Sequence, residues 1–324
     1  MTRLPRDGQR TLIDARSLRL RAAWLYYVHG LTQKDVADRL GLARTSVVKL
    51  LEEARQRGEV QIRIAEGAPE LIDLALKLEE RLGIDEAIVV PSGDGVEGAA
   101  KAVGAALGAF LSETVADGMR VGVGWGRTLT AALATFRPPR REGVKVISLL
   151  GGVVEAPMAN PPEFAWRLAS EIGAECFLFP APLIVDSPET RERLMVRCGL
   201  DRLERLAEAL DLAVVSAGDM GPGASSLSNG LVSEAERAEL RTLGCVADLM
   251  CNFLDADGRT VPHPLNARVM AIAPDIVARA GHVVIATGGA ARAEAILAAR
   301  RRVGCHTLVT DEGAATRLME LARP

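Results

Sequence analysis

Seven consecutive residues, Gly122-Val123-Gly124-Trp125-Gly126-Arg127-Thr128, hold the clearest capacity for ligand chemistry in this sequence. Glycines let the backbone curl until successive amides point to one side. A helix opening directly afterwards adds its positive end, and Arg127 and Thr128 supply further donors; together these suit a phosphate. The loop is not a dinucleotide fingerprint, because the Gly-x-Gly-x-x-Gly spacing fails and no acidic partner follows at the required distance. Taken alone, such a turn serves equally as a tight connection from strand to helix. Two other places repeat the pattern: Gly151-Gly152, with Asn160 and Glu163 just beyond, and Thr287-Gly288-Gly289, followed by Arg292. Each follows an apolar run, so polar groups gather at strand ends, where ligands of parallel sheets bind. The expectation is one shared polar pocket for a small anionic ligand. Asp248 and Asn252 interrupt another apolar run and are placed to accept sugar hydroxyls; Asp248 serves as well to accept backbone amides at a bulge.

Other chemistry is sparse. His29, His263, His282 and His306 lack metal-ligand spacing, there is no nucleophile elbow, and Asp255, Asp257 and Gly258 lack the rest of a calcium loop. Ser46 and Lys49 match a Ser-x-x-Lys nucleophile pattern, but on an exposed helix face with no companion motif. No metal and no cofactor is implied. Five cysteines (Cys176, Cys198, Cys245, Cys251, Cys305), an odd number at irregular spacings, read as buried reduced thiols.

A second constellation is cationic. Up to Glu66 the chain has 13 basic and 8 acidic residues, net +5; beyond it stand 26 basic and 34 acidic, net −8, so the overall −3 sums unlike halves. A small basic module on an acidic body fits a nucleic-acid-binding head joined to something else. The elements needed to position its cations are legible. Leu18, Ala22, Leu25, Tyr26 and Val28 recur at helical spacing over 17–29, and Gly30 stops that helix. Thr32 caps a second helix over 33–40, with Asp35 completing a capping box and Val36, Ala37 and Leu40 inward. Gly41 turns the chain into a third helix over 43–57, whose Val47, Leu50, Leu51 and Ala54 form one stripe and Thr45, Ser46 and Lys49 another. Val60, Ile62 and Ile64 alternate with Glu59, Gln61 and Arg63 as a half-buried strand. Small Ala37, Gly41 four later and Val47 six after that are the spacing of a helix-turn-helix. Its polar stripe, Arg44, Thr45, Ser46 and Lys49, would enter a major groove, with Thr32 and Gln33 at the second helix's start. Arg55, Arg57 and Arg63 would grip phosphates and set affinity rather than specificity. A protein-interaction module with a solvated polar face is the alternative.

Beyond a linker at 66–69, apolar runs at 87–90, 120–123, 144–150, 176–179, 212–215, 246–253, 282–286 and 307–309 alternate with helical patterns. Strands apolar throughout, separated by crossover helices, indicate an α/β fold with a mainly parallel sheet covered on both faces. The predicted organisation is a helix-turn-helix head with a small wing at 1–66 and an effector-binding and oligomerisation body at 67–324. The composition, 48% hydrophobic and 25% charged, excludes wholesale disorder and collagenous repeats. No uncharged apolar run approaches the roughly 20 residues of a membrane span. Arg3, Arg6 and Arg10 precede no signal-peptide segment, so a cytoplasmic protein without a membrane partner is expected.

The order of motifs resembles the SorC family of sugar-binding transcriptional regulators. The likeness runs through residues 25–37 and 50–55 of the head. In the body it runs through Gly124-Trp125-Gly126-Arg127-Thr128, Pro180-Ala181-Pro182, Asp186-Ser187-Pro188-Glu189, the run from Phe253 to Gly258, and His263-Pro264-Leu265-Asn266. The resemblance implies a winged-helix head, a body similar in fold to sugar-phosphate isomerases and deaminases, and homo-oligomers, dimers or tetramers. It also implies operator DNA as one partner and a phosphorylated sugar as another. Carried over by position, Gly124 to Thr128 and Arg292 would hold the phosphate; Gly151, Gly152, Gly288 and Gly289 belong to the shared pocket on the reading of the loops themselves. Asn160, Glu163, Asp248 and Asn266 would meet hydroxyls. Arg292 departs from the family's usual Lys, and Ala43 stands where a capping hydroxyl is common. Three readings follow: a ligand-responsive DNA-binding regulator, a sugar-phosphate isomerase or deaminase with an added head, and a regulator whose body only oligomerises.

Overall fold

The computed structural model describes residues 15–60, 69–154, 160–221, 224 and 230–322. By internal contacts the chain divides into two compact units, Met1–Glu66 and Gly67–Pro324, the head and the body.

In the head, α1 (Ala15–Ala23) runs into a π-helical turn (Trp24–Val28), followed by α2 (Gln33–Leu40) and α3 (Arg44–Gln56). Ala22, Ala23, Val36, Ala37, Val47, Leu51 and Ala54 form a buried cluster that holds the three helices together. The close approach at Ala37 and the plug at Val47 are as the spacing predicts. Gly41 takes φ 68°, the left-handed conformation that ends α2, and its amide donates to the Ala37 carbonyl. The first helix differs from its apolar pattern. The His29 amide bonds to the Trp24 carbonyl five residues back, so the last turn is one residue wider, and Val28 faces solvent. Arg19 is buried instead, with Nε and Nη2 each donating at 2.6 Å to the Glu59 carboxylate. The strand residues from Gln61 through Ile64, with Arg63, lie outside the described residues, as do linker residues 66–68 and Arg3, Arg6 and Arg10.

The body opens with α4 (Pro69–Leu82), β1 (Glu86–Val90), α5 (Gly95–Thr114), β2 (Arg120–Val123), α6 (Arg127–Ala132), β3 (Lys145–Ser148), α7 (Pro161–Ile172) and β4 (Glu175–Phe177). Then come α8 (Pro188–Glu192), α9 (Asp201–Ala207), β5 (Leu212–Val215), β6 (Ala217–Gly218), α10 (Glu234–Thr242), β7 (Cys245–Leu249) and β8 (Asn252–Asp255). The chain closes with α11 (Pro274–Val277), β9 (His282–Ala286), α12 (Ala293–Val303), β10 (Thr307–Asp311) and α13 (Glu312–Leu321). Seven strands pair in parallel in the order β1-β10-β9-β5-β2-β3-β4. Leu107, Phe136 and Phe164 pack in one core cluster, Leu78, Ile285 and Leu318 in another. All four β5 side chains are buried, which is why the run at 212–215 has no polar alternation.

Two readings need correction. The run at 246–253 is not one strand but the hairpin β7–β8, which joins β6 in a small antiparallel sheet. Met250 and Cys251 turn it with φ of 52° and 59°, a two-residue hairpin geometry that ordinarily uses Asn or Gly. Of the five cysteines only Cys245 and Cys251 are buried; Cys176 and Cys305 are half-buried, and Cys198 is exposed where a π-helical turn ends. Among the described residues no helix is long and apolar enough to cross a membrane.

Candidate functional site

The ends of β2, β5 and β9, side by side in the sheet, open onto one pocket. Its lining includes Trp125, Gly126, Arg127 and Thr128 after β2, Ser216 to Asp219 after β5, and Thr287 and Arg292 after β9. Asp248, Met250 and Cys251 come from the hairpin, and Leu150 from the end of β3. The β2 loop is set by how close α6 comes to α5. A Cβ on Gly104 would lie 2.6 Å from the Thr128 carbonyl oxygen, and one on Gly108 2.2 Å from that of Ala132. Only glycine at those two positions lets α6 start where it does.

The β9 loop is pinned from behind. Thr287 Oγ1 accepts from the Ala217 amide at 2.8 Å and lies 3.0 Å from Ser216 Oγ, tying the β9 loop to the start of β6. Asp311 Oδ1 accepts from the Gly289 amide at 3.0 Å. Arg292 ends a short 3-10 turn and is only 8% exposed. Its Nη1 donates to the Gly288 carbonyl at 2.8 Å, and its Nε lies 3.2 Å from Asp219 Oδ2. Burial pulls the guanidinium's pKa down, as does the charge of Arg127; Asp219 and Asp311 push the other way. Asp248 Oδ1 accepts from the Cys251 amide at 2.7 Å, holding the positive-φ turn. The amide-satisfying role anticipated for Asp248 is present, at a hairpin turn rather than a bulge. Burial, and then the Asp248 charge, pushes the Cys251 thiol well up, which keeps it protonated at neutral pH and a poor nucleophile.

The pocket thus unites two of the three anticipated loops. The Gly151-Gly152 loop goes elsewhere: the Gly151 amide bonds to the Met270 carbonyl, and the Gly152 amide to that of Ala181. Asn160 is occupied with the same loop, its amide group exchanging two hydrogen bonds with the backbone of Val153 at 3.1 and 2.7 Å. Glu163 is exposed beside Arg167. Asn266 pegs the hairpin, accepting from the Phe253 amide and donating to the Val261 carbonyl. Asn252 donates to the carbonyl of Met250. Gly124, Gly288 and Gly289, expected at the site, are not among the residues that line the pocket.

In the head, Arg44, Thr45, Ser46 and Lys49 of α3 are all exposed, and Arg55 and Arg57 are exposed near its end. Gln33 is half-buried at the start of α2. Thr32 is exposed but engaged: its Oγ1 accepts from the Asp35 amide at 3.2 Å and donates to the Asp35 carboxylate at 2.6 Å, completing the capping box.

Residues 68–320 match the Sugar-bind family, a sugar-binding domain. The erythritol catabolism regulatory protein EryD of Brucella abortus is 31% identical over 306 residues, covering 94% of this chain and 96% of the relative. The chain belongs to the SorC family of sugar-binding transcriptional regulators. The SorC-family fold extends over the chain: the full-length sorbitol operon regulator SorC of Klebsiella pneumoniae superposes with a TM-score of 0.70 at 24% identity, covering 94% of this chain and 99% of that one. The transcriptional regulator LsrR of Klebsiella pneumoniae is 31% identical over 307 residues, with 93% and 92% covered. These relatives are named as regulators, which favours the regulator reading over the isomerase or deaminase one for this SorC-family chain. Sequence reasoning missed Asp219, Ser216, Met250 and Cys251 in its pocket. The first two follow a strand whose continuation as β6 has no apolar run to announce it; the others sit in a turn without the usual Asn-Gly signal.

Proposed function

We propose that this chain regulates transcription of a carbohydrate catabolic operon by binding operator DNA through its head and a phosphorylated sugar or sugar alcohol through its body. The observation that carries the reading is the buried Arg292 guanidinium at the strand ends, beside Arg127 and the backbone amides after β2, on a chain that also presents an exposed cationic helix face. A buried cation aimed into a polar pocket calls for an anionic ligand, and Asp248 and Ser216 beside it suit hydroxyls. Arg44, Thr45, Ser46 and Lys49 on α3 would meet base edges and phosphates, with Thr32 and Gln33 at the start of α2 and Arg55 and Arg57 on the backbone. Within the effector site Trp125, Gly126, Arg127, Thr128, Asp248 and Arg292 touch the ligand. Gly124, Gly151, Gly152, Asn160, Glu163, Asn266, Gly288 and Gly289 hold the loops or stand outside them.

Coupling requires that the effector bind one arrangement of the protein more tightly than another; equal affinity for both shifts nothing. In a homo-oligomer, dimer or tetramer, that difference changes the spacing at which heads are offered to the two halves of an operator. The test is operator binding by fluorescence anisotropy against a panel of sugar phosphates, with the unphosphorylated sugars alongside. One phosphorylated member is expected to shift operator affinity and raise the thermal midpoint. A panel that moves neither would sink the reading in favour of a body that only oligomerises.

A further inference from the structure

The effector pocket, as proposed above, contains its own anion. Asp219 directly follows β6 and divides its carboxylate: Oδ1 accepts from the Gly221 amide at 2.6 Å, and Oδ2 lies 3.2 Å from Nε of Arg292. The backbone bond fixes the carboxylate independently of the arginine. Both side chains are largely withdrawn from water, at 10% exposure for Arg292 and 20% for Asp219. Arg292 is in turn fixed by Nη1 on the Gly288 carbonyl. The edge of a guanidinium best suited to an oxyanion carries Nε and one Nη, and the Nε end of that edge faces Asp219. The free space in this partly open pocket is about 50 Å³, against the roughly 300–1,000 Å³ of pockets that hold small ligands. An anionic ligand therefore cannot reach this edge of Arg292 unless Asp219 gives way.

We infer that Asp219 is the internal counter-anion of the pocket: it occupies the place on Arg292 that the ligand's anionic group takes, and it sets which anions are strong enough to enter. Two carboxylates, Asp219 and Asp248, already offset Arg127 and Arg292 in the lining. Adding a weak monoanion beside an undisplaced Asp219 leaves like charges in contact within a poorly hydrated space. A phosphate dianion with several acceptor oxygens can replace the carboxylate on Arg292 and still engage the β2 loop amides. Arginine is what makes the exchange possible, since Nη1 keeps its bond to Gly288 while Nε changes partner. The ligand class selected is an organic phosphate monoester rather than a sugar acid or a neutral sugar.

The test uses the full-length protein and inorganic phosphate as probe, with calorimetry and thermal melts on the unaltered chain, Asp219→Asn, Asp219→Glu and Arg292→Gln. Asp219→Asn is expected to bind phosphate about tenfold more tightly, because the competing charge is gone. Its midpoint without phosphate falls and phosphate restores it, the added anion standing in for the lost one. Asp219→Glu, which keeps the charge, stays within about twofold of the unaltered chain. Equal or weaker phosphate binding by Asp219→Asn, or a midpoint that phosphate does not restore, would overturn the inference while Arg292→Gln still abolishes binding. Phosphate binding that survives Arg292→Gln would instead remove the effector pocket itself, and the inference with it.

Discussion

The two units use cationic side chains in opposite ways. On the head, Arg44, Lys49, Arg55 and Arg57 stand in water on a module of net charge +5, whereas in the body Arg292 lies buried against Asp219 and Gly288 within a unit of net charge −8. An exposed cation interacts weakly with any one partner and is screened by salt, but several together suit a polyanion whose condensed counterions they release. A buried cation is costly unless geometry satisfies it, and the geometry that does so also selects the ligand. The same residue type thus gives tolerance of position in one unit and intolerance in the other.

The sharpest break in that contrast is Arg292→Ala. It leaves the Asp219 carboxylate in a largely dry site without its partner, and removing one member of such a pair costs about 3 kcal/mol. The effector-dependent rise in thermal midpoint is expected to vanish, while operator binding at fixed salt persists; melts with and without the sugar phosphate and anisotropy with the operator read the two effects separately. A normal effector response in this variant moves the anion site elsewhere.

Lys49→Ala tests the other side. One lost phosphate or base contact weakens operator binding about tenfold and reduces the slope of log affinity against log salt by about 1. The effector response should not change. Unaltered operator affinity would take α3 out of the groove.

A smaller effect separates the body from the head by pH. His282 and His306 stack with ring centroids 4.9 Å apart where β9 and β10 begin, and His282 Nε2 is 2.8 Å from Thr307 Oγ1. Burial, and then the charge of His306, holds the His282 pKa below its ordinary value, against the opposing pull of Asp85 and Glu86. The folded body therefore takes up this proton less readily than the unfolded chain. Stability from this group is complete above the unfolded value near 6.5 and declines as pH falls through it. Denaturant melts at pH 7.5 and 5.5 should show that decline, reduced in His282→Gln. An identical decline in the variant assigns it to other groups.

What could be read in advance follows the same division. Periodicity found the strands at 120–123, 212–215 and 282–286, because strands buried on both faces have no polar residue to blur them. It found α2 and α3, since Thr32, Asp35 and Gly41 mark the boundaries by side-chain chemistry. It failed at Val28 and Arg19, where a π-helical turn shifts the register and a long polar side chain reaches an inward partner 40 residues on, at Glu59. The candidate pocket was half legible. Glycine loops after β2 and β9 advertise themselves by composition, whereas Asp219 and Asn160 have meaning only through tertiary partners. Asn160 follows a strand as a ligand-binding residue would, yet its amide group is spent on Val153.

Within the head the finest contrast is between the starts of α2 and α3. Thr32 caps α2 fully, whereas Ala43 begins α3 with φ −71° and ψ 146°, the backbone of an N-cap with no side chain to accept an amide. Thr32→Ala should cost about 1 kcal/mol of head stability, and Ala43→Ser should return a similar amount, since the backbone is already in place. Amide hydrogen exchange in the first turn of α3 reads the second change directly. The decisive measurement is operator affinity in Ala43→Ser. A cap hydroxyl competes for amides at the end of α3 nearest Arg44 and Thr45, which also suits a phosphate. A head that becomes more stable but binds operator less well would mean that the open start of α3 belongs to the DNA-binding face. Gains in both would mean that Ala43 is only an omitted cap.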